Sequence, residues 1–391
     1  MKVFLKIVLN KFKDASRDKR ELSVVNTFNI DIFIMAKGEY NYKSNSDGYN
    51  VHRRTTRPLG NVNWLVKLNR LISVFTWANY GKKLKPDCIS CHDLSALFIG
   101  WLSTWFIPKD KKPLLVYDSH EFEIGRNTGG KRSKYAKHII SKVEKYLMKK
   151  CAFSMMVNDS IADEVQRIHK LKERPVVVRN IPNYWVVDKN ICIKRRKEIC
   201  ARLRVSDNSF IVMYHGGIMR NRGIEVLLAS IQRNKNLVAM ILGDGEPSYL
   251  EQLKQMAEQL QISNRVLFHD AVPIDVLWQY VGAADVGMIT IPPASKSYYF
   301  MLPNKLFENI QSLTPIIGSN FPEITKIVNK YDIGILVNPE NVEEIVDAVE
   351  KMRTDKELYY KFKNNLKQAK EDLCWENESK ILEEAYAKIL N

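Results

Sequence analysis

Residues 214–223 read YHGGIMRNRG, and the organisation of the whole chain can be worked out from this stretch. The apolar run 210–214 ends in the paired glycines Gly216 and Gly217, and a basic turn with Arg220 and Arg222 leads into a helical pattern at Gly223. Glycine lets backbone approach a ligand closely, and a helix start offers unpaired N–H groups and a positive dipole end to an anion. Strand, tight turn and helix also open a βαβ unit, whose strands run parallel through right-handed crossovers. A plain glycine turn with two solvated arginines would read the same way, so the surrounding chain has to decide.

Outward from that stretch the alternation continues in both directions. Strands are expected after it at 237–242, 266–268, 286–290, 316–317 and 334–337. Before it they are expected at 3–9, 31–36, 50–55, 87–90, 114–117, 153–157 and 176–179, with helical patterns at 64–80, 94–106, 131–150 and 161–169. Between the two series lies a basic segment, 185–204, with the run Lys194, Arg195, Arg196, Lys197, and it reads as a linker. The expectation is an α/β protein of two Rossmann-like domains, residues 1–184 and 205–373, with parallel sheets facing across a cleft.

Composition narrows the partners. A chain of 391 residues fits two to three domains of about 150 residues each. With 45% hydrophobic and 27% charged residues it is neither disordered nor fibrous. Sixty lysines and arginines against 44 acids give a net charge of +16, which favours nucleic acid, phosphate-bearing substrates or an acidic membrane surface. Six irregularly spaced cysteines form no disulfide framework and fit a reducing compartment. The apolar runs 3–9 and 94–107 are too short to span a bilayer, which takes about 20 residues. A cytoplasmic protein that can touch a membrane is expected.

Ligands of open parallel sheets bind beyond the carboxyl ends of the strands. There, 302–308 reads LPNKLFE: Pro303 and Asn304 start a helix, and Lys305 and Glu308 share one face of its first turns. A cation beside a carboxylate at a positive helix end suits a nucleotide sugar, the lysine facing phosphate and the carboxylate facing ribose. The plainer reading is a surface ion pair worth a few tenths of a kcal/mol. In the first half, two strand ends carry histidine with acid: His92 with Asp93, and Asp118 with His120. Two such clusters at adjacent strand ends point to proton handling. Cys88 and Cys91 lack a second pair, and Asp-x-Asp, the Walker lysine loop and the G-x-S-x-G elbow are all absent, so neither a metal site nor a bound cofactor is expected.

Taken in order, VYDSHEF, NDSIADEV, RNIPN, YHGGIMRNRG, ILGDGEP, VGAADVGM and LPNKLFE resemble glycosyltransferase family 4, of GT-B fold. The likeness runs to the tail CWENESKILEEAY, so it implies a final helix, 374–391, that packs back on the first domain. It implies a retaining transferase using a nucleotide diphosphate sugar. Gly216, Gly217 and Arg222 match the diphosphate loop, Lys305 and Glu308 the second donor motif, with Asn304 beside them, and His92 the acceptor-side histidine. Two positions depart from the family. Phe300 stands where a glutamate is usual, and Gly217 stands where an arginine is usual, leaving Arg220 or Arg222 to supply the charge. The resemblance further implies that the departing phosphate takes the acceptor's proton while His92 or Asp93 orients the hydroxyl.

The helical stretch 131–150 carries eight lysines and arginines against Glu144 alone, with Tyr135, Ile139, Ile140, Val143, Tyr146 and Leu147 at helical spacing. That pattern suits the anionic inner face of the cell membrane and hence a lipid-linked saccharide acceptor in cell-surface polysaccharide synthesis. Nucleic acid is not an expected partner, because no binding module or stacking motif accompanies the charge. A sugar-nucleotide epimerase of the same fold and a non-catalytic partner subunit, the latter in keeping with Phe300, stay open as alternatives.

Overall fold

The computed structural model describes residues 2–12, 16–60, 63–125 and 133–391. The chain divides into two compact units, Met1–Asn180 with Ser379–Asn391, and Ile181–Glu378. The first contains β1 (Val3–Ile7), α1 (Ser16–Asn26), β2 (Asp31–Gly38), β3 (Tyr42–Ser46), β4 (Tyr49–Thr55), α2 (Val66–Lys83), β5 (Cys88–His92), α3 (Asp93–Ser103), β6 (Leu114–Ser119), α4 (Lys134–Met148), β7 (Phe153–Met156), α5 (Asp159–His169) and β8 (Val176–Val177). The second contains α6 (Lys189–Leu203), β9 (Phe210–His215), α7 (Ile224–Arg233), β10 (Leu237–Leu242), α8 (Pro247–Gln259), β11 (Val266–His269), α9 (Ile274–Val281), β12 (Val286–Ile289), α10 (Lys296–Tyr299), α11 (Asn304–Gln311), β13 (Ile316–Ser319), α12 (Pro322–Tyr331), β14 (Gly334–Val337), α13 (Val342–Thr354) and α14 (Lys356–Asp372). The last helix, α15 (Trp375–Leu390), starts in the second unit and ends in the first.

Both sheets have the topology of doubly wound folds. The second is wholly parallel, in the order β11-β10-β9-β12-β13-β14, and its strand order reverses between β9 and β12. Every residue of β9 and β10 is buried, as expected for central strands covered by helices on both faces. The first sheet runs β3-β4-β2-β1-β5-β6-β7-β8 and reverses between β1 and β5. Ligand crevices form at such reversals, beyond the carboxyl ends of the strands. The protein therefore has one such place in each unit: after β9 and β12, and after β1 and β5.

Two sequence expectations change here. The first sheet is not all parallel, because β3 pairs antiparallel with β4. Asp47 and Gly48 join them with φ of 53° and 83°, the left-handed pair that a two-residue type I′ turn requires. The expected linker 185–204 is mostly helix. The Asp188 side chain caps α6 by accepting the Asn190 N–H at 2.8 Å, and Ile199, Cys200 and Leu203 pack into the core with Ile211, Met213 and Val238. Within its charged run, Lys194 and Lys197 are exposed, while Arg196 donates to the Asp207, Ser209 and Ala283 carbonyls and to Asp285, and Arg195 stacks on the Tyr280 ring.

The end of α15 is bound into the first unit by Tyr386. Its ring is fully buried, edge-on to Phe4 and Phe153 at centroid distances of 5.7 and 5.2 Å, and its hydroxyl donates to Glu21. A fully buried side chain of this size contributes roughly 1.5–3 kcal/mol through burial. Among the described residues, no helix is long and apolar enough to cross a membrane.

Candidate active site

Beyond β5 and β6 the first unit gathers a dense ionic network. The parallel register places His92 beside Asp118, and His120 follows one residue after β6. His92 donates from Nδ1 to Asp18 at 2.7 Å, and His120 donates from Nε2 to Asp118 at 3.0 Å. The two imidazoles stack with centroids 3.6 Å apart. Beneath them Lys6, fully buried in β1, pairs with Glu21, with Asp18 at 3.2 Å and with Asp118 at 3.7 Å, while Arg17 holds Asp118 at 2.9 Å. Burial opposes charge on Lys6, Arg17, Asp18, His92 and Asp118, but opposite charges outweigh it. Burial alone would raise the Asp18 carboxyl, yet the Lys6 ammonium and the His92 hydrogen bond hold it down at about 2. Burial works against a charged His92, yet the hydrogen bond and charge of Asp18 raise its pKa above the ordinary value. Asp118 stays well below the usual carboxylate range against the same burial, through Arg17 and His120.

His92 and Asp93 open onto a cavity of about 410 Å³ lined also by Leu9, Asn10, Ser95 and Glu123. Asp93 has a φ of 67°, a left-handed conformation uncommon outside glycine, and it starts α3 directly at the strand end. His92, half-buried, is thus an imidazole favoured in its charged form with an edge on open space. Asp118 is fully buried, its carboxylate taken up by Arg17 and His120, so it does not open onto the cavity as the sequence reading expected of a catalytic group. Among the described residues, Asp18, His92, Asp118 and His120 form the one group whose donor atoms, all within 4.8 Å of one another, could hold a metal ion. The fit is poor, because Lys6 and Arg17 already supply the cations these carboxylates need.

In the second unit the turn after β9 is shaped by glycine. Gly216 has a φ of 105°, and Gly223, at the start of α7, has a φ of 80°. A β-carbon at Gly223 would lie 1.8 Å from the Thr290 carbonyl oxygen, so the loop after β12 fits only against glycine there. Both α7 and α11 begin without a side-chain cap, leaving N–H groups at their starts.

On α11, Lys305 is nearly buried, and its ammonium sits 3.7 Å from the centroid of the Tyr214 ring. Its Nζ has no hydrogen-bond partner among the described residues, and neither does the buried Nε of Arg222, whose guanidinium stacks 5.2 Å from the Tyr298 ring. Burial first, and the Arg222 charge second, push the Lys305 pKa down to about 7. That is on the order of 5 kcal/mol against the charged lysine. Two cations with vacant hydrogen-bonding capacity are an arrangement that an anion would complete.

The sequence-derived donor residues divide in this geometry. Gly216, Gly217, Arg222, Lys305 and Glu308 come together around the ends of β9 and α11. Arg220 turns away to Gln252 at 2.6 Å and to the Tyr249 ring, which leaves Arg222 as the arginine near Lys305. Asn304 is exposed at the first turn of α11. Glu308 accepts from His215 Nε2 at 2.9 Å, a partner that sequence reasoning missed although His215 directly precedes the glycines. Lys6, Arg17 and Asp18 were missed as well. The signal for Lys6 was the lone charge in the buried strand VFLKI, since a buried lysine needs acidic partners.

Known proteins share this architecture. Residues 195–369 match the family described as glycosyl transferases group 1. The uncharacterized glycosyltransferase MJ1607 of Methanocaldococcus jannaschii is 26% identical over 378 residues, covering 91% of this chain and 89% of its own. Among solved structures, sucrose-phosphate synthase of Thermosynechococcus elongatus superposes with a TM-score of 0.78 at 16% identity over 99% of each chain. Anabaena HepE in complex with UDP-glucose gives 0.76 at 15% identity, over 99% of this chain and all of its own. Residues 195–369 thus carry the likeness to glycosyl transferases group 1, and the whole chain shares the two-unit α/β fold of these solved structures.

Proposed function

We propose that the protein is a retaining glycosyltransferase that moves a sugar, of the hexosyl class, from a nucleotide diphosphate donor to a lipid-linked saccharide in cell-surface polysaccharide synthesis. The observation that carries the donor assignment is the nearly buried Lys305 ammonium, unpaired beside Arg222 and an uncapped helix start. UDP-glucose in the similar HepE supports the same class of donor. In the reaction the bond from the anomeric carbon to phosphate oxygen breaks, and the acceptor hydroxyl attacks from the same face. Its proton passes to the departing diphosphate, so no protein nucleophile is required. Lys305, Arg222 and the N–H groups of α7 and α11 meet the charge growing on the diphosphate and perform the work of a divalent ion. Glu308, oriented by His215, accepts from the ribose. In the first unit, His92 orients the acceptor hydroxyl. The basic helix α4 provides contact with the anionic inner face of the cell membrane.

The test is proton-linked binding. A lysine with a pKa near 7 is about half neutral at pH 7, and a bound diphosphate raises that pKa, so binding takes up a proton. Titration calorimetry with UDP-glucose, whose diphosphate carries no group that titrates near neutrality, in buffers of different ionisation enthalpy is expected to show uptake of about half a proton at pH 7, close to none at pH 5, and weaker affinity as pH rises above 7. Lys305→Met is expected to abolish the uptake. Binding without uptake, or unchanged in Lys305→Met, refutes the assignment.

A further inference from the structure

The first unit leaves an apolar face uncovered. Trp64, in the turn before α2, is 80% exposed, and Leu68, Leu71 and Phe75 follow it at four-, three- and four-residue steps, all exposed. These steps put the four side chains on one side of the helix. The opposite side, through Arg70, Ser73 and Trp77, lines a cavity of about 570 Å³. This inverts an ordinary surface helix, whose apolar stripe faces the core. α2 packs on α3, and α3 on α4, so the face continues sideways. At the end of α3, Trp105 and the 91% exposed Phe106 extend it, held to α2 by Lys82, which donates to the Trp105 carbonyl at 3.1 Å. Trp101 then meets Tyr146 of α4 at 5.7 Å.

Charge identifies what covers this face. Residues 51–86 hold eight lysines and arginines and not one acid. The cavity behind α2 is rimmed by Lys37, Arg57 and Arg70, and none of its lining residues is acidic. Exposed tryptophan, phenylalanine and leucine backed by unbalanced cations complement the interface of an anionic bilayer. An interfacial helix sinks about 5–10 Å into the headgroup layer, and its own diameter is about 10–12 Å. Its far side, with Arg70, then stands near the level of lipid phosphates.

We propose that α2 lies in the headgroup layer of an anionic bilayer, its outer stripe against lipid and its inner side presenting the basic cavity to a phosphate-bearing lipid head. The inference deepens the lipid-linked acceptor reading and rests on it. It moves the lipid-facing centre from α4, where the charge pattern of the sequence placed it, to the aromatic stripe of α2. The lysines of α4 supply long-range attraction.

Flotation of the full chain with phosphatidylcholine vesicles, with and without one-third phosphatidylglycerol, tests the face. The chain is expected to float with the anionic vesicles and not with the neutral ones. Trp64→Ala/Leu71→Ala/Phe75→Ala is expected to reduce that binding at least about tenfold, with its melting temperature kept because these side chains are exposed. Equal flotation of the variant, or none by the wild type, overturns the proposal. So does a concentration-dependent dimer that the same variant abolishes, which would give the face to a second copy of the chain.

Calorimetry with dihexanoyl phosphatidate, a soluble lipid phosphate, tests the cavity. Arg57→Gln/Arg70→Gln is expected to lose at least about tenfold in affinity while the stripe variant keeps it, and a wild type that binds inorganic phosphate equally well overturns the lipid assignment. UDP titration of the same preparations reads the donor site separately. Nucleotide binding without vesicle binding refutes this proposal and leaves the transferase reading standing, and the converse refutes the donor assignment alone.

Discussion

His92 shows how one side chain gathers its properties from several elements. It ends β5, directly precedes α3, stacks on His120 and donates to Asp18 of α1. Replacing it by alanine is expected to lower turnover by about a hundredfold with nucleotide affinity unchanged, since the donor contacts assigned above all lie in the other unit. Transfer rate measured against UDP affinity in the same variant checks this. Asp18 is a positioning residue for that imidazole. Asp18→Asn is expected to shift the His92 titration, followed by NMR, to lower pH and to move the alkaline limb of the pH–rate profile with it.

The same substitution has a stability signature. The folded pKa of Asp18, about 2, lies below its ordinary 3.8, so its contribution is present above about pH 4 and fades as pH falls through 2. About 2 kcal/mol is at stake, and the variant is expected to lose it at pH 7 and to lose less than the wild type between pH 4 and 2 in denaturant titrations. His92, raised in the fold, works in the opposite sense. Its contribution is full below about pH 6.5 and is lost as pH rises through the folded value.

At the scale of elements, strands were easier to read than anything else in the chain. β10 and β14 lie at the residues expected: β10 is fully buried and leaves an unbroken apolar run, and the partly buried edge strand β14 keeps one as well. The edge was harder. β3 is short and mostly exposed, and its only trace in the sequence was Asp47-Gly48. α6 was hidden by its lysines and arginines, although Cys192, Ile199, Cys200 and Leu203 share one side of it. The donor pair was legible because Lys305 and Glu308 lie a turn apart on one helix. The network of Lys6, Asp18 and Asp118 was not, because its members lie 12 to 112 positions apart and meet only through sheet order.

The single acid of α4 also has a plain structural role. Glu144 is buried, accepting from Tyr117 at 2.9 Å and from His169 at 3.0 Å, and so pins α4 to β6 and α5. Glu144→Ala leaves two buried donors without an acceptor and is expected to cost about 3 kcal/mol, read as a shift in the urea midpoint.

The two units are distinct bodies, each with its own sheet and buried core, and residues far apart in the chain complete the first. Truncation after Glu378 removes Leu382, Tyr386 and Leu390 from the first unit and takes the hydroxyl from Glu21. Calorimetric unfolding of that variant is expected to show the first unit melting earlier, while UDP still raises the melting of the second. Loss of UDP stabilisation on truncation would contradict this division.

That discontinuity also sets an order of events on the ribosome. All eight strands of the first sheet are made before Ile181, yet the residues that seal the underside of β1 come only after Glu378. At about 5–20 residues per second, the intervening segment takes roughly 10–40 s to synthesise. Throughout that interval the nascent first unit exposes the apolar groove around Phe4 and Phe153, with the Glu21 carboxylate lacking its tyrosine. The unit begun first is therefore finished last, and chaperones that shield nascent chains would meet their substrate at this groove.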